Sequence, residues 1–508
     1  MKQVLGDFFD DVCDRYSENE CIYFKTSGTH YSYKRFQQYV HQIEKGLVAL
    51  GLNKGDLIAI KSSNTPQWLA LQWAGFKLGV IIIGLNEALT QSEVNYAMSH
   101  TGAKLLFTDD MSYMISDNRL YRVIIWDEAN QFIIDLGKGI KDEEIEVRNL
   151  NVSAEDPALI LFTSGTTSKP KAVLMKNSAI VRAIEAYIKR LNYSEEDTVL
   201  ICTPLAHMMG CLYSIMPAMA FGARMIIIER FKTDLVLELI QQEKCTVLNA
   251  VPTMFLFLLE NFQGYDISSL RTGLIAGSYA SSNLLQQINE KLGMKELLQA
   301  YGQTETLAVT GTCLQDDLQK HQATTGRPFD NVEIKIVPIG SQEALPPYEK
   351  GEVLVRSPYC MVEYLNNEEI TKMTRDEDGW IHTGDIGFLD EDGYLYIKAR
   401  IKEIIIKGGE NICPTEIEDA LNNVEGIKEA IVIGVPDKYK TEEICAFIIA
   451  EKDEPVLVQQ IQDKLKQKLA RYKIPKYIIR VNHYPKTSSG KVRKEELKFL
   501  YNVIENTL

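Results

Sequence analysis

Asp56–Leu57–Ile58–Ala59–Ile60, then Thr65–Pro66, then Gly79–Val80–Ile81–Ile82–Ile83–Gly84 is the run of sequence that decides the fold class. The first segment reads as a short strand, and Thr65–Pro66 opens a helix through Leu78 with proline in its first turn. The apolar run from Gly79 to Gly84 reads as a buried strand. Another helix is predicted near Gln91 to Thr101, and Ala103 to Thr108 returns to strand. Such β-α-β alternation predicts α/β layers around a largely parallel sheet. Similar units are predicted at Thr198–Thr203, Arg224–Glu229, Thr246–Pro252 and Arg271–Gly277.

The whole chain has 508 residues, enough for roughly three units at about 150 residues each. Hydrophobic residues at 45% and charged residues at 24% are ordinary globular values, which disfavours disorder, collagen and coiled coil. The 55 basic and 69 acidic side chains leave a net charge of −14, which argues against a nucleic-acid partner. The 9 cysteines form no C-x-x-C pair, so neither a disulfide framework nor a zinc site is expected. The start, KQVLGDFFDDVCDRY, lacks a signal-peptide pattern. Apolar runs such as Val80 to Leu85 are too short to span a bilayer. A soluble, cytoplasmic protein without a transmembrane segment is expected.

A boundary is predicted before Arg400. The hairpin signals DEDGWIHTGD and LDEDGYLYI precede it, and a compact unit with its own strands and helices follows. Residues 1–399 are read as a large domain of several α/β subdomains, and residues 400–508 as a smaller, mobile α+β lid. Charge shifts there as well: residues 461–500 hold 12 basic and 3 acidic side chains. That run fits either a solvated helix face or a surface that meets polyphosphate.

Five segments carry chemistry. Leu161–Phe162–Thr163–Ser164–Gly165–Thr166–Thr167–Ser168–Lys169–Pro170–Lys171 follows an apolar strand and offers hydroxyls, backbone N–H groups and ammonium groups, as a triphosphate requires. It is no Walker loop, because no glycine precedes either lysine; by itself it is equally a Ser/Thr-rich surface turn. Tyr301–Gly302–Gln303–Thr304–Glu305 brings an aromatic ring, a glycine, a hydroxyl and a carboxylate together, a set that suits a base, a phosphate and a magnesium ion. Trp380–Ile381–His382–Thr383–Gly384–Asp385 places an acid where ribose hydroxyls would donate. Arg400–Ile401–Lys402–Glu403 and Pro485–Lys486–Thr487–Ser488–Ser489–Gly490–Lys491 complete the set.

In this order the five resemble the adenylate-forming superfamily of acyl-CoA synthetases, peptide-synthetase adenylation domains and luciferases, over about residues 10 to 498. The pattern is most similar to the acyl- and aryl-CoA ligases. The resemblance implies a phosphate loop at Thr163, Ser164, Gly165, Thr166, Thr167, Pro170 and Lys171. Ser168 and Ala172 depart from it, each standing where the family has glycine, and loss of glycine restricts positive φ. It implies an adenine site between Ala276–Gly277–Ser278 and the segment Gln299, Ala300, Tyr301 and Gly302, with Gln299 contacting the base and Tyr301 stacking on it. Thr304 would contact the α-phosphate, and Glu305 would hold Mg²⁺.

By the same resemblance Asp385 and Arg400 bind the ribose, and Lys402 sits at the hinge between two half-reactions. Ala399 replaces the usual glycine there. Lys491 would stabilise acyl-AMP formation, since carboxylate attack on the α-phosphate builds negative charge that a placed ammonium offsets. Gly408 and Gly409, within Ile406 to Ile412, would line a pantetheine tunnel. Pro204 to Gly210 would border the carboxylate pocket, with His207 as a gate. Thr203 to Tyr213 contains no acid, which disfavours amino-acid substrates, because a buried ammonium needs a partner. Met208, Met209, Met216, Leu307 and Ala308 suggest an apolar pocket, although a Met-rich core reads the same way.

The reading that follows is an ATP- and Mg²⁺-dependent ligase joining an apolar carboxylic acid, fatty or aryl, to coenzyme A. Two others stay open: a ligase loading an acyl carrier protein, and a catalytically weak adenylate-binding homologue, the latter motivated by Ser168, Ala172 and Ala399.

Overall fold

The computed structural model describes residues 2–115, 121–163, 169–437, 439–450, 458–486 and 492–505. Their packing forms two compact units, residues 1–333 with 355–381, and residues 334–354 with 382–508. The fold is mixed α/β.

The opening stretch lies at the heart of the first unit. Leu57–Lys61 pairs in parallel with Ile81–Leu85 on one side and Leu105–Thr108 on the other. Among the described residues their sheet has seven strands, in the order Glu363–Tyr364, Lys171–Lys176, Pro157–Thr163, Ile81–Leu85, Leu57–Lys61, Leu105–Thr108, Arg122–Ile125. From Pro157–Thr163 onward, neighbours run parallel. The two strands before it are antiparallel additions.

The helix Pro66–Leu78 forms as its sequence dictates. The Thr65 side chain accepts from the Trp68 N–H at 3.2 Å, Pro66 takes the first turn, and Gly79 closes the far end at φ +69°. Nearly all its residues are buried, Trp68, Trp73 and Phe76 completely. A helix apolar all round belongs inside a core.

The second sheet of this unit has nine strands among the described residues. Its central strands, Glu20–Phe24, Arg224–Ile227, Thr198–Ile201, Val247–Leu248, Thr272–Ile275 and Glu296–Gln303, run parallel in that spatial order. All four predicted repeat units contribute a strand here. Antiparallel strands cap both ends: Thr29–Ser32 on one side, Leu307–Gly311 and Arg327–Pro328 on the other.

The second unit holds all but a few end residues of a four-stranded sheet of Glu333–Val337, Gly351–Arg356, Ile381–Leu389 and Leu395–Arg400. It also holds a sheet built on the long antiparallel pair Ile427–Asp437 and Thr441–Ala450. Helix Lys494–Glu505 buries Leu497 and Tyr501 against Val435, Phe447 and Tyr484. The hairpin signals near Asp390 are real: Ile381–Leu389 turns into Leu395–Arg400 through Gly393 at φ +79°. They belong to this unit's sheet, however, so division by packing falls at residue 381. The boundary predicted at 399/400 rests on turn signals and charge, which are not measures of packing. All nine cysteines are free, and seven are buried. No described helix is long and apolar enough to cross a membrane.

Candidate active site

In the first unit the strands on either side of the phosphate-loop segment are paired. Pro157–Thr163 and Lys171–Lys176 run antiparallel, with Thr163 opposite Lys171, so the loop's two ends are neighbours. Ser164, Gly165, Thr166, Thr167 and Ser168 lie outside the described residues. Ala172 occupies a regular strand position opposite Phe162 and is fully buried. Its φ is not positive, so the backbone at that position does not require glycine.

Glu305 meets this hairpin. Its Oε1 accepts from Thr163 Oγ1 at 3.3 Å and from the Tyr364 hydroxyl at 2.8 Å. The Tyr364 oxygen in turn accepts from Lys171 Nζ at 3.3 Å, and that ammonium sits 4.4 Å from the centre of the Tyr364 ring. Burial pulls the Lys171 pKa below its ordinary value, while the Glu305 charge opposes the shift. Burial first, then Glu305, drives the Tyr364 phenol upward, so it stays protonated.

The strand Glu296–Gln303 delivers the rest of this motif and runs further than its apolar stretch suggested. It continues through Tyr301 and Gly302 and pairs with Leu307–Gly311 across a turn that contains Thr304 and Glu305. The turn is closed by Gln303 N–H donating to Thr306 Oγ1 at 3.1 Å. Gly302 is dictated by space, because a Cβ there would lie 2.0 Å from the Leu307 carbonyl oxygen. Ala300 and Tyr301 face Gly311 and Thr310 across the pair. Gln299 has its backbone bonded to Thr312, yet its side-chain Oε1 is buried without a hydrogen-bond partner. Such an orphaned acceptor is costly unless a ligand or water satisfies it. At the end of the neighbouring strand Thr272–Ile275, Gly277 adopts φ +91°, and Gly277 and Ser278 are exposed.

The segment Pro204 to Gly210 is pinned by Asn64, which donates to the Thr203 carbonyl at 3.0 Å and accepts from Leu205 N–H at 2.8 Å. His207 is half-buried, with Nε2 lying 3.3 Å from Asn86 Nδ2. Met209, Met216, Leu307 and Ala308 are buried.

In the second unit Asp385 and Arg400 are register partners, joined by an ion pair of 2.9 Å from Nε to Oδ1. Glu352 organises the turn before them, accepting from Gly384 N–H at 3.2 Å and meeting His382 Nδ1 at 3.0 Å. Ala399 is also a strand position, opposite Ile386 and beside a bulge in the pairing, with no positive φ. Lys402 is exposed in a short 3₁₀ turn. The next residue, Glu403, pairs with Lys494 at 2.7 Å. Gly408 and Gly409 form the two-residue turn between Ile405–Lys407 and Glu410–Ile412, at φ +60° and +89°. Thr487 to Lys491 lie outside the described residues.

Sequence reasoning missed Tyr364 and Glu352. Neither stands in a motif; each acts on partners that only the folded chain brings near. The groups in the first unit fit a nucleotide: an orphaned amide beside a left-handed glycine, and a hairpin with hydroxyl and ammonium at its mouth. They fit magnesium as one carboxylate, which suffices for an ion bound chiefly through substrate phosphates. No cluster of three or more His, Cys, Asp or Glu appears among the described residues.

Comparison with known proteins accords with this geometry. The AMP-binding enzyme profile matches residues 9–365, and the AMP-binding enzyme C-terminal domain profile matches residues 416–491. The candidate acyl-CoA synthetase YngI of Bacillus subtilis (strain 168) is 32% identical, over 98% of this chain and 97% of its own. The mitochondrial medium-chain acyl-CoA ligase ACSF2 of Mus musculus is 31% identical, over 98% and 87%. Among solved structures, o-succinylbenzoate CoA synthetase from Bacillus subtilis, in complex with its acyl-adenylate intermediate, superposes with TM-score 0.82 at 28% identity, covering 97% of both chains. ATP-bound MatB from Rhodopseudomonas palustris shares the fold, with TM-score 0.85 at 24% identity over 98% of this chain and 99% of its own.

Proposed function

The chain belongs to the AMP-binding enzyme family and is an AMP-forming acyl-CoA synthetase; from that premise we propose that its acid is apolar, fatty or aryl, and that it passes through acyl-AMP to acyl-CoA with release of AMP and pyrophosphate. The observation that carries the substrate class is the segment Thr203 to Tyr213, free of acid and continuous with buried Met209, Met216, Leu307 and Ala308. An amino acid would bring an ammonium into it with no counter-charge.

The residues divide the work by chemistry. Gln299 offers its unpartnered oxygen to an amino group of the base, and Tyr301 offers a ring face. Thr163 to Lys171 hold the phosphates, and Thr304 meets the α-phosphate. Glu305 is the magnesium ligand; the ion, when bound, offsets charge on the phosphate oxygens. Asp385 and Arg400 take the ribose, while Gly408 and Gly409 border the pantetheine path. Lys402 is the hinge, and Lys491 meets the negative charge that builds during acyl-AMP formation. The boundary at residues 399/400 falls between the two family matches, which leave residues 366–415 uncovered.

Incubation of an acid panel with ATP, Mg²⁺ and CoA, read by mass spectrometry, tests this. Thioesters of apolar acids are expected, and none of amino acids. Failure with every apolar acid, or a preference for an amino acid, would overturn it.

A further inference from the structure

Tyr364 stands between the two charges that the adenylation site must keep apart. Its hydroxyl donates to Glu305 Oε1 at 2.8 Å and accepts from Lys171 Nζ at 3.3 Å. The ring lies under the same ammonium, 4.4 Å from its centre, within cation–π range. The residue is 2% exposed and anchored from behind. Its strand, Glu363–Tyr364, pairs with the strand that carries Lys171, and its N–H donates to Thr371 Oγ1 at 3.0 Å. Thr371 belongs to the helix Glu368–Thr374, whose first turn is capped by Asn367.

An ammonium and a carboxylate this close would ordinarily collapse into a direct pair, and each would then be spent on the other. The interposed phenol prevents that. It also places two donors, its own hydroxyl and that of Thr163, on one carboxylate oxygen, which fixes the plane of the group. Hydrogen bonds to charged groups are the stronger kind, so the arrangement is stiff.

We propose that Tyr364 is a positioning residue for acyl-AMP formation: its ring and hydroxyl hold Lys171 and Glu305 apart and aimed, so that one magnesium–triphosphate is gripped by both. The proposal rests on the ATP-dependent reading above. Neither the phosphate loop nor the Tyr301 motif contains this residue, and it touches the nucleotide only through the groups it orients.

The test is Tyr364→Phe, which keeps the ring and its face toward Lys171 but removes the hydroxyl. Calorimetry of ATP binding with and without Mg²⁺, in the absence of acid, reads the site without turnover. The gain in ATP affinity caused by Mg²⁺ should shrink several-fold. ATP–pyrophosphate exchange should fall about tenfold, the scale of one hydrogen bond to a charged group. Thioester formation from synthetic acyl-AMP and the melting temperature should change little. In the double variant with Glu305→Gln, loss of magnesium-linked binding should be no greater than with Glu305→Gln alone, because Tyr364 acts through that carboxylate. Unchanged magnesium-linked binding, equal loss of every step together with early melting, or additive losses in the double variant would each overturn the proposal. Thr371→Val loosens the anchor without touching either charge and serves if the phenylalanine variant does not fold: a drop in magnesium-linked binding supports the proposal, and no drop overturns it. A wild-type protein that binds no ATP would instead refute the functional reading, and the proposal with it; wild-type binding with an indifferent variant refutes the proposal alone.

Discussion

In the large unit, Thr163 and Lys171 face each other across a hairpin whose charged end is organised from outside, by Glu305 and Tyr364. In the small unit, Lys407 and Glu410 face each other across a hairpin whose turn, Gly408 and Gly409, takes a left-handed backbone and is tied to the neighbouring chain by Gly408 N–H donating to the Lys440 carbonyl at 2.8 Å. Cβ atoms added at those two glycines would meet nothing within 4 Å, whereas one added at Gly302, beside Glu305, would strike the Leu307 carbonyl oxygen at 2.0 Å. The Glu305 cluster of the large unit thus sits in crowded packing, whereas the Gly408–Gly409 turn of the small unit has open space around it. Damage should spread in the first and stay confined in the second.

The largest effect should come from Lys491→Ala. If this lysine serves only acyl-AMP formation, its loss should slow that step by about 10² or more, the scale for removing one preorganised donor. Thioester formation from synthetic acyl-AMP should be spared, and ATP binding should change much less than the rate. Equal loss from both starting points would break the division of labour between the units.

Next comes Gly302→Ala. The added methyl group cannot be seated without shifting the strand pair, so a loss of about 2 kcal/mol in stability is expected, within the range for overpacking. ATP affinity should fall as well, because the same pair sets Gln299 and Glu305. Urea unfolding and ATP calorimetry on one variant check both. Gly409→Ala should cost less, roughly 1 kcal/mol for placing a side chain at φ +89°. ATP binding should then be intact, and the CoA step should suffer more than pyrophosphate exchange. Were the two glycine variants to lose stability and ATP affinity alike, the contrast between a crowded site and an open turn would fail.

That contrast also explains what could be read in advance. Parallel strands from Leu57 to Thr108 and the helix Pro66–Leu78 were legible, because period, caps and proline act over a few residues. The Tyr301 to Glu305 motif was legible as a set of side chains, but not as the end of a strand and its turn, since its apolar pattern stops at Leu298. Tyr364 was not legible at all: its partners lie 59 and 193 residues away in sequence. The hairpin at Asp390 showed where the chain turns and not which unit it joins, which depends on packing against Gly351–Arg356. The departures at Ala172 and Ala399 suggested a weakened site because glycine was assumed necessary there. Both are strand positions without positive φ, which weighs against the part of the weak-homologue reading that rested on them; Ser168, its third support, lies outside the described residues.

The smallest expected effect concerns charge in the large unit. His41 lies between two acids, Nδ1 3.3 Å from Glu44 and Nε2 2.7 Å from Asp142. Glu44 is fully buried and also meets Lys77 at 3.3 Å, while Lys45 shares Asp142. The hydrogen bond to Glu44 raises the His41 pKa above its ordinary 6.5, with burial opposing and Asp142 adding to the rise. A raised histidine contributes stability that is fully present below pH 6.5 and fades as pH climbs through the folded value. His41 is partly exposed and therefore screened, so less than about 1 kcal/mol is expected. Melting curves of wild type and His41→Gln should differ most below pH 6.5 and converge as pH rises through the raised folded value. Burial works against the Lys77 charge, but Glu44 and Asp10 outweigh it and raise its pKa, so Lys77 stays charged throughout that range and does not mask the trend. A gap that stays constant, or widens with pH, would mean that His41 acts by packing and that the network draws its worth from Lys77 and Glu44 alone.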